Sequence, residues 1–420
     1  MPASLADPAA ARVLATDVVR RLREAGHEAY WAGGCVRDEL LGRIPVDYDV
    51  ATAALPQVVR NLFGRKKTLA IGAAFGVITV LGPRPAGQVE VATFRTDAEY
   101  TDGRHPAGVT FCSAREDAAR RDFTINGMFL DPLSGEVHDF VGGREDLAAG
   151  VVRAIGVPAQ RFAEDHLRML RAVRFAAGFA FALDHDTRAA IERMAHLVTG
   201  VSPERIAAEL RAMTSRPGRG RAIELLEETG LAREVLPEVA PGRLDAAGRA
   251  AWGRAAAILA ALDEPTLPQA VAVLSQAAAS NEPAAIAGRL RLSNHEAKAI
   301  AWLHAGLAEL GALERLDDLP WSRLQGWVAH PQAPLLADLL RARAACGQGS
   351  GPAAAWFTAQ SQRPRSEIDP PPLVTGADLI AAGVPPGPAM GAALAAIRQR
   401  QLDGLIASRE EALAVAAGRG

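Results

Sequence analysis

Two aspartates one residue apart, Asp47 and Asp49, have the types and spacing in this chain that most directly suggest chemistry. Val46, Tyr48 and Val50 alternate with them, which is the period-two pattern of a strand, so both carboxylates should project from the face opposite the apolar side chains. Neighbouring carboxylates repel each other, and a divalent cation relieves that repulsion. Mg2+ suits such oxygen ligands, and it completes its shell with phosphate oxygens and water. The pair therefore predicts a magnesium site, although an isolated pair of this kind would also fit an exposed strand.

A glycine turn precedes this pair. The apolar run Ala29–Ala32 has the character of a short strand, it ends at Gly33 and Gly34, and a helix of about two turns should follow from Val36 to Leu41. Glycine permits turn angles and a close approach of backbone to ligand, while the free N–H groups at a helix start attract anions. Joined to the aspartates, the turn predicts a site for a nucleoside triphosphate and its metal ion.

A third carboxylate could join the two aspartates. Residues 88–94 resemble a strand in which Glu90 alternates with Val89 and Val91, so Glu90 can lie on a sheet face. From spacing alone, a solvent-facing strand glutamate fits equally well. Residues 95–108 follow, and their polar residues and turn formers predict a long loop.

A second polar group begins at Arg120-Arg121-Asp122 and ends at Asn126. The guanidinium of Arg121, the carboxylate of Asp122 and the amide of Asn126 could hold phosphates and a ribose hydroxyl. The same residues could equally form a solvated helix end.

A row of charged residues follows on one or two helices over residues 159–178. Offsets of three and four place these side chains on one helix face, and they are Glu164, Asp165, Arg168, Arg171 and Arg174. Surface ion pairs are one explanation, each contributing well under about 1 kcal/mol. An adjoining apolar stripe already supplies the face to bury, however, and guanidinium and carboxylate groups form bidentate hydrogen bonds with base edges.

Composition limits the class of protein. The 420 residues have a net charge of −2, and hydrophobic residues make up 49%. No apolar run reaches the roughly 18 residues that a membrane span needs, and the three cysteines are far apart with no metal-ligand spacing. We therefore expect a cytoplasmic protein with no membrane association, and no obligate protein partner is evident. A near-neutral chain is not a basic nucleic-acid binder as a whole, but local patches can still bind RNA.

The motifs together resemble the class II tRNA nucleotidyltransferases and bacterial poly(A) polymerases, within the polymerase-β superfamily. The resemblance covers roughly residues 25–215, and its five motifs occur in the family's order: Gly33-Gly34-x-Val36-Arg37-Asp38, Asp47-x-Asp49, Arg120–Asn126, Glu164-Asp165-x-x-Arg168-x-x-Arg171 and Ser202–Ile206. The tail from Leu373 to Ala412 resembles the small helical domain that ends many of these enzymes.

The resemblance implies an α+β fold. A small mixed-sheet, polymerase-β-like nucleotidyltransferase head would occupy residues 1–157, and all-helical regions would follow. They would be a neck with base-recognition and RNA-binding elements (158–230), a body (231–350), and a linker with a small helical tail (351–420).

The resemblance also implies roles for residues. Asp47 and Asp49 would hold catalytic Mg2+; Gly34 and Arg37 would contact the triphosphate, and Arg121 and Asp122 the nucleotide at its ribose. Asp165 and Arg168 would pair with the edge of CTP or ATP, supported by Arg171 and Arg174, while residues 95–108 would form the loop that switches between C and A addition. Two departures from the family pattern are Gly127, usually alanine, and His105, often arginine.

The implied activity is template-independent addition of CCA to the tRNA 3′ end. An A-only adding enzyme or a poly(A) polymerase of the same family is the alternative, and a catalytically inactive RNA-binding scaffold is a further one. Poly(A) polymerases tend to have a basic tail, whereas residues 366–420 here contain six acids and four arginines. Intact Asp47 and Asp49 argue against an inactive scaffold, but the shared motifs do not exclude A-only addition.

Overall fold

The structure, a computed structural model, describes residues 7–97, 109–240, 246–276 and 283–416. The chain divides into two compact units, one of Met1–Met213 with Arg221–Pro237 and the other of Thr214–Gly220 with Glu238–Gly420. No helix among the described residues has the length and apolar character needed to cross a membrane. The predicted four-part division into head, neck, body and tail stays a prediction.

Eleven strands lie in the described part of the first unit. In chain order they are β1 (Ala29–Ala32), β2 (Asp49–Thr52), β3 (Thr68–Leu69), β4 (Val77–Leu81), β5 (Gln88–Thr93), β6 (Arg95–Asp97), β7 (Val109–Phe111), β8 (Phe129–Leu130), β9 (Val137–His138), β10 (Val151–Val152) and β11 (Ala182–Leu183).

The helices up to residue 235 alternate with these strands and then follow them. They are α1 (Pro8–Glu24), α2 (Gly34–Leu40), α3 (Pro56–Phe63), α4 (Ala114–Ala119), α5 (Gly143–Ala149), α6 (Pro158–Glu164), α7 (Leu167–Phe179), α8 (His185–Met194), α9 (Pro203–Thr214), α10 (Arg219–Glu228) and α11 (Leu231–Val235).

Helices also form the described remainder of the chain. They are α12 (Ala246–Ala261), α13 (Leu267–Ser275), α14 (Pro283–Arg289), α15 (Asn294–Leu310), α16 (Trp321–Val328), α17 (Ala333–Ala345), α18 (Gly351–Ser361), α19 (Arg365–Ile368), α20 (Gly376–Ala381), α21 (Pro388–Leu402) and α22 (Arg409–Ala416).

The main sheet has seven strands in the order β3-β4-β5-β2-β1-β8-β9. Only β2 and β5 pair in parallel within it; the other neighbours are antiparallel. This is the expected small mixed sheet, and the largely helical remainder confirms the predicted α+β class.

Helix α1 covers one face of this sheet. The Asp7 side chain caps the helix by accepting from the Ala9 N–H at 3.0 Å, and Pro8 occupies the first turn. Its buried stripe includes Val18 and Leu22, and each such side chain contributes roughly 1.5–3 kcal/mol when fully buried. A second apolar cluster, which includes Tyr30, Ala32, Phe94 and Phe129, occupies the opposite face with α4. That opposite face also carries Asp49, because Asp49 is the cross-strand partner of Ala32.

Two predictions about the later chain are wrong. Strands were not expected after residue 157, but Ala182–Leu183 pairs in parallel with Val151–Val152; a two-residue strand is too short to produce a periodic signal. A linker was expected at the start of residues 351–420, yet α18 (Gly351–Ser361) occupies that start. Ser350 caps that helix, and Phe357 is fully buried on it, so packing overrides a composition rich in glycine and proline.

The tail has its own core. Val374, Leu379, Ile397, Ile406 and Ala412 form a buried cluster contributed by α20, α21, α22 and the segments beside them. A capping box between Thr375 and Asp378 begins α20.

Candidate active site

The predicted glycine turn is present at the end of β1. Gly33 has φ 74° and ψ −128°, angles that strain any residue with a side chain. A Cβ at Gly33 would also lie 3.1 Å from Nη1 of Arg121. A Cβ at Gly34 would meet only an ordinary contact, 3.6 Å from the Arg37 guanidinium. The backbone angles therefore favour glycine at 33, where Arg121 also leaves little room for a side chain, whereas packing does not require glycine at 34.

Asp47 and Asp49 flank a buried tyrosine. The Tyr48 hydroxyl donates to Oε1 of Glu39 at 2.8 Å, and its ring lies 4.7 Å from the Trp31 ring. Tyr48 therefore fixes residues 47–49 against Glu39 and Trp31. Asp47 and Asp49, on either side of it in the chain, are both exposed. The strand predicted from Val46 begins only at Asp49. On the β1 side the pairing also stops there, because β1 ends at the glycine turn and Ala32 is the partner of Asp49.

Glu90 stands beside Asp49 in the sheet. The parallel register places Asp49 opposite Glu90, and both residues are exposed. Loss of water around the carboxylate, followed by repulsion from Asp47 and Glu90, raises the pKa of Asp49 to about 7, although solvent still reaches the side chain. A bound cation would relieve this repulsion, so the donor set fits a divalent metal ion. Within the described ranges, however, no three side chains of the ligating types form one metal-binding cluster, so Glu90 as a ligand stays a prediction.

Arg121 is held against this site by Asp117, a residue that sequence reasoning missed. Asp117 is 1% exposed, and its Oδ2 accepts from Nε and Nη2 of Arg121 at 3.2 and 2.9 Å. Its other oxygen accepts from Arg120 Nε at 2.9 Å and from the Arg95 backbone N–H at 3.2 Å. Burial alone would raise the pKa of Asp117, but the charges of Arg121 and Arg120 and these hydrogen bonds outweigh it and hold the pKa below its usual range. The only sequence signal is the three- and four-residue spacing to the arginines.

A buried chain of hydrogen bonds joins the glycine-turn helix to α7. Arg37 Nη1 donates to Asn126 Oδ1 at 2.6 Å, and Asn126 Nδ2 donates to Asp122 Oδ1 at 3.1 Å. Arg171 then donates to the other Asp122 oxygen through Nε at 2.8 Å and Nη2 at 2.7 Å. Burial would raise the pKa of Asp122, but Arg171 and its hydrogen bonds lower it below the usual range. The four predicted site residues therefore contact one another, and Arg37 is only 7% exposed.

The remaining arginine of the predicted stripe lies beside α9. Arg174 Nε donates to Oε2 of Glu209 at 2.7 Å, and Nη1 of Arg171 lies 4.0 Å from the other Glu209 oxygen. The guanidinium of Arg174 also stacks 4.3 Å from the centroid of the Phe175 ring. Glu209 thus contacts both arginines.

The predicted placement of Asp165 on one helix with Arg168 is wrong. Helix α6 ends at Glu164, and Asp165 has an extended backbone with φ −149° and ψ 105° before α7 begins at Leu167. The Asp165 carboxylate accepts the Leu167 N–H at 3.1 Å, which competes with continuing the helix. The predicted contact between Glu164 and Arg168 is present, with Oε2 2.5 Å from Nη1.

Asp165 has a partner that sequence reasoning did not assign. Arg205, from α9, donates through Nη1 and Nη2 to the two Asp165 oxygens at 3.2 and 2.7 Å. Its signal was the motif Ser202–Ile206, which contains Arg205 but gives no indication of its target. Asp165 is therefore held in place by a bidentate ion pair.

The predicted loop lies mostly outside the described residues. Residues 95–97 pair with residues 109–111 as a short hairpin, whereas the predictions for residues 98–108, including His105, fall in a range that the structure does not describe. Gly127 has a packing explanation, since a Cβ there would lie 2.7 Å from Val141 Cγ2 and 3.0 Å from Ile155 Cδ1.

Two family models match this chain. The Poly A polymerase head domain matches residues 29–153, which include the glycine turn, the three carboxylates and Arg121. The Probable RNA and SrmB- binding site of polymerase A matches residues 180–242. The stripe of residues 164–174 lies between the two matches.

Curated relatives align with most or half of the chain. The CCA-adding enzyme of Geobacillus stearothermophilus is 35% identical over 410 residues, which are 94% of this chain and 94% of that protein. The CCA-adding enzyme of Geobacillus kaustophilus is 43% identical over 218 residues, which are 52% of this chain and 53% of that protein.

Solved structures have the same fold. The Bacillus stearothermophilus CCA-adding enzyme in complex with CTP has a TM-score of 0.78 and 30% identity, covering 97% of each chain. The Thermotoga maritima CCA-adding enzyme complexed with tRNA has a TM-score of 0.66 at 20% identity and covers 98% of each chain; it supports the fold alone. Such proteins are nucleotidyltransferases that generally need a divalent metal. By its 35% identity to the Geobacillus stearothermophilus enzyme over 94% of its length, the chain belongs to the family of CCA-adding enzymes.

Proposed function

We propose that this chain adds C, C and A, from CTP and ATP, to the 3′ end of tRNA without a nucleic-acid template. It is a tRNA nucleotidyltransferase that releases pyrophosphate. The observation that carries the site assignment is the register of Asp49 with Glu90, with Asp47 two residues earlier, beside a glycine turn against which Arg121 packs.

Asp47 and Asp49 are the residues that would hold Mg2+, with Glu90 as a third carboxylate. When bound, the metal ions activate the terminal 3′-hydroxyl and stabilise charge on the transferring α-phosphate. The raised pKa of Asp49 supports this assignment, because crowded carboxylates favour a cation over separate ionisation. No side chain need form a covalent intermediate, since positioning and electrostatics supply most of the catalysis in phosphoryl transfer.

The triphosphate is placed at the glycine turn. Gly33 and Gly34 let it approach the backbone closely, and Arg121 supplies positive charge next to Gly33, only 3.1 Å from the position of a Cβ there. Asp117 fixes the fork of Arg121 through two hydrogen bonds. Because Asp117 restricts the Arg121 side chain, less conformational entropy is lost when the substrate binds.

Arg37, Asn126, Asp122 and Arg171 hold the nucleotide pocket in shape. Their donors and acceptors bond to one another, so they tie the glycine turn to α7. Arg174 contributes in the same way through Glu209. A direct contact between Asp122 and the ribose would require its present hydrogen bonds to be shared.

Asp165 and Arg168 select the base. Cytosine and adenine each present an amino donor beside a ring-nitrogen acceptor, so an aspartate can accept from the first and an arginine can donate to the second. Arg205 occupies two of the roughly four lone-pair directions of the Asp165 carboxylate. The ion pair fixes the orientation of the carboxylate, so its remaining lone pairs are available to the base. Glu164 orients Arg168 similarly.

We place this activity in the cytoplasm. All three cysteines are free thiols, which suits a reducing compartment. The buried Cys35 thiol has its pKa raised to about 12 by burial, so it stays protonated there.

The test is incubation with tRNA lacking the whole CCA end, or lacking only the final A, and each labelled nucleotide in the presence of Mg2+. Addition of two C residues and one A, then arrest, is expected. Incorporation of A only into the tRNA ending in CC would support the A-only alternative, and unlimited A addition would support a poly(A) polymerase. If none of the labelled nucleotides is incorporated into either tRNA, the proposal is overturned.

A further inference from the structure

One row of the sheet leads from the proposed metal site to the sheet edge. Asp49 pairs with Glu90, Glu90 pairs with Thr79, and Thr79 pairs with Leu69 of β3. Paired residues share a face of the sheet, and none of these four is buried, whereas their chain neighbours Val50, Val91, Ile78 and Thr68 are. At about 4.8 Å per strand, the row spans roughly 14 Å. The face carrying the carboxylates therefore continues, open to solvent, as far as β3.

The in-line geometry of phosphoryl transfer points to this side for entry of the acceptor RNA. The triphosphate is assigned to the other side of Asp49, where β1 ends at Gly33 and Arg121 packs against it. In phosphoryl transfer the attacking and leaving oxygens lie roughly in line on opposite sides of the phosphorus. The attacking hydroxyl, and the RNA strand that carries it, are therefore expected over β5, β4 and β3.

Positive charge is concentrated at that edge. Arg65, Lys66 and Lys67 form a short turn of 3₁₀ helix immediately before β3, and all three are exposed. They are the only run of three consecutive cationic residues in the sequence, and they include two of its three lysines. Many arginines of this unit pair with carboxylates. Among the described residues, by contrast, Arg65, Lys66 and Lys67 form no ion pair. Unpaired cations next to an open face complement a phosphate backbone.

Exposed apolar side chains lie beside these cations. Leu69, at the end of the row, is 40% exposed, and Ile71 is 91% exposed. Exposed apolar side chains next to charged ones are a common feature of interaction surfaces. Unpaired bases, unlike those of a paired stem, present apolar faces that such side chains can contact.

We propose that residues 65–67 together with Leu69 and Ile71, here called the β3 edge, bind the single-stranded 3′ end of the tRNA acceptor. The cations contact the phosphates of the last nucleotides, and Leu69 and Ile71 contact their bases. The strand then runs across Thr79 towards Glu90, which brings its terminal hydroxyl to the carboxylates. This inference rests on the proposed function, since it needs an RNA acceptor.

The test uses the full chain and a charge reversal, Lys66→Glu with Lys67→Glu. Affinity for tRNA ending in CC, measured by filter binding over a salt series, should fall at least about tenfold, since each charge-assisted phosphate contact contributes roughly that factor. The slope of log affinity against log salt should decrease by about 0.7 for each lost single-strand contact. KM for ATP at saturating tRNA should stay unchanged, because the triphosphate lies on the other side of the carboxylates.

Arg144→Glu is the control for the single variant Lys66→Glu, because both reverse one charge. Arg144 is exposed on α5, which follows the opposite edge strand β9, so its reversal changes net charge without touching the β3 edge. Equal loss of affinity in the control would overturn the proposal, because net charge would then explain both effects. Wild-type affinity and salt slope in the double variant would overturn it too. An inactive wild-type protein would instead contradict the proposed function.

Discussion

Arg205 donates from both terminal nitrogens to the two carboxylate oxygens of Asp165, at 3.2 and 2.7 Å. The pair joins α9 to the break between α6 and α7, and it therefore connects the Ser202–Ile206 motif to the residue proposed to select the base. Its side chains are 25% and 17% exposed, so the pair is better shielded than a surface ion pair.

Asp165→Ala should reduce base selection more than it slows the chemical step. Uracil and guanine present the opposite donor and acceptor polarity, so a wrong base leaves polar groups unpaired at roughly 1–3 kcal/mol each. We expect the ratio of kcat/KM for CTP to that for UTP to fall by about tenfold or more on tRNA lacking its 3′ end. The exposed Asp186 gives a control, Asp186→Ala, with wild-type ratios. Unchanged ratios in Asp165→Ala and Arg168→Ala would place base selection elsewhere.

Asp47→Ala and Asp49→Ala should each abolish addition of C and of A while leaving tRNA binding largely intact. A lost catalytic metal should cost several kcal/mol of transition-state stabilisation. Single-turnover rates with CTP and ATP measure this, with exposed Glu145→Ala as the control. More than about one per cent of wild-type activity in either variant would remove the metal assignment.

Glu90→Gln should lower turnover and raise the Mg2+ concentration needed for half-maximal rate. The register places Glu90 opposite Asp49, and repulsion from Glu90 contributes to the raised pKa of Asp49. Removing one negative charge weakens cation binding at this site. A titration of rate against Mg2+ checks it, and a normal Mg2+ dependence would make Glu90 an ordinary strand residue.

Asp117→Asn should weaken nucleotide binding and lower stability in a pH-dependent way. KM for CTP should rise because Arg121 loses its paired anion. The free energy of unfolding should fall by about 2–4 kcal/mol at pH 7. The pKa of Asp117 is lowered in the folded protein, so its contribution is present above the unfolded value of about 3.9 and is lost as pH falls towards the folded value. The stability difference between wild type and variant should therefore shrink below about pH 4.

Glu116→Gln is the control for that experiment. Gln can replace Glu in the capping box that Glu116 forms with Ser113, so KM and stability should stay near wild type. Denaturant unfolding between pH 3 and pH 7 supplies the comparison. A pH-independent difference for Asp117→Asn would contradict the electrostatic explanation.

Gly127→Ala should destabilise the protein. Its Cβ would overlap Val141 and Ile155, and overpacking typically costs about 1–3 kcal/mol. Gly178→Ala in α7 has open space around it and should stabilise by roughly 0.5–1 kcal/mol. Thermal unfolding of both variants compares them; equal stability of Gly127→Ala and wild type would show that Val141 moves aside.

The local patterns determined the elements of the site. An apolar run predicted a strand at residues 29–32 and alternation predicted one at residues 88–94, and the structure confirms both, the second with a small shift at its end. Most helices were predictable for the same reason, because burial of one face enforces a period in the sequence. The pairing of Glu164 with Arg168 also followed from helical spacing.

Tertiary structure decided which of these residues meet. Asp49 and Glu90 are 41 positions apart, and only the parallel pairing of β2 with β5 places them side by side. Asp117 was missed because its spacing to Arg120 and Arg121 does not show that the carboxylate is buried. Arg205 was missed because its partner, Asp165, depends on how α9 packs. Asp165 lies outside the predicted helix, because its carboxylate accepts hydrogen bonds from the Leu167 N–H and from Arg205 on α9. The sequence thus determined which chemical groups are available, whereas strand register and helix packing decided which of them act together.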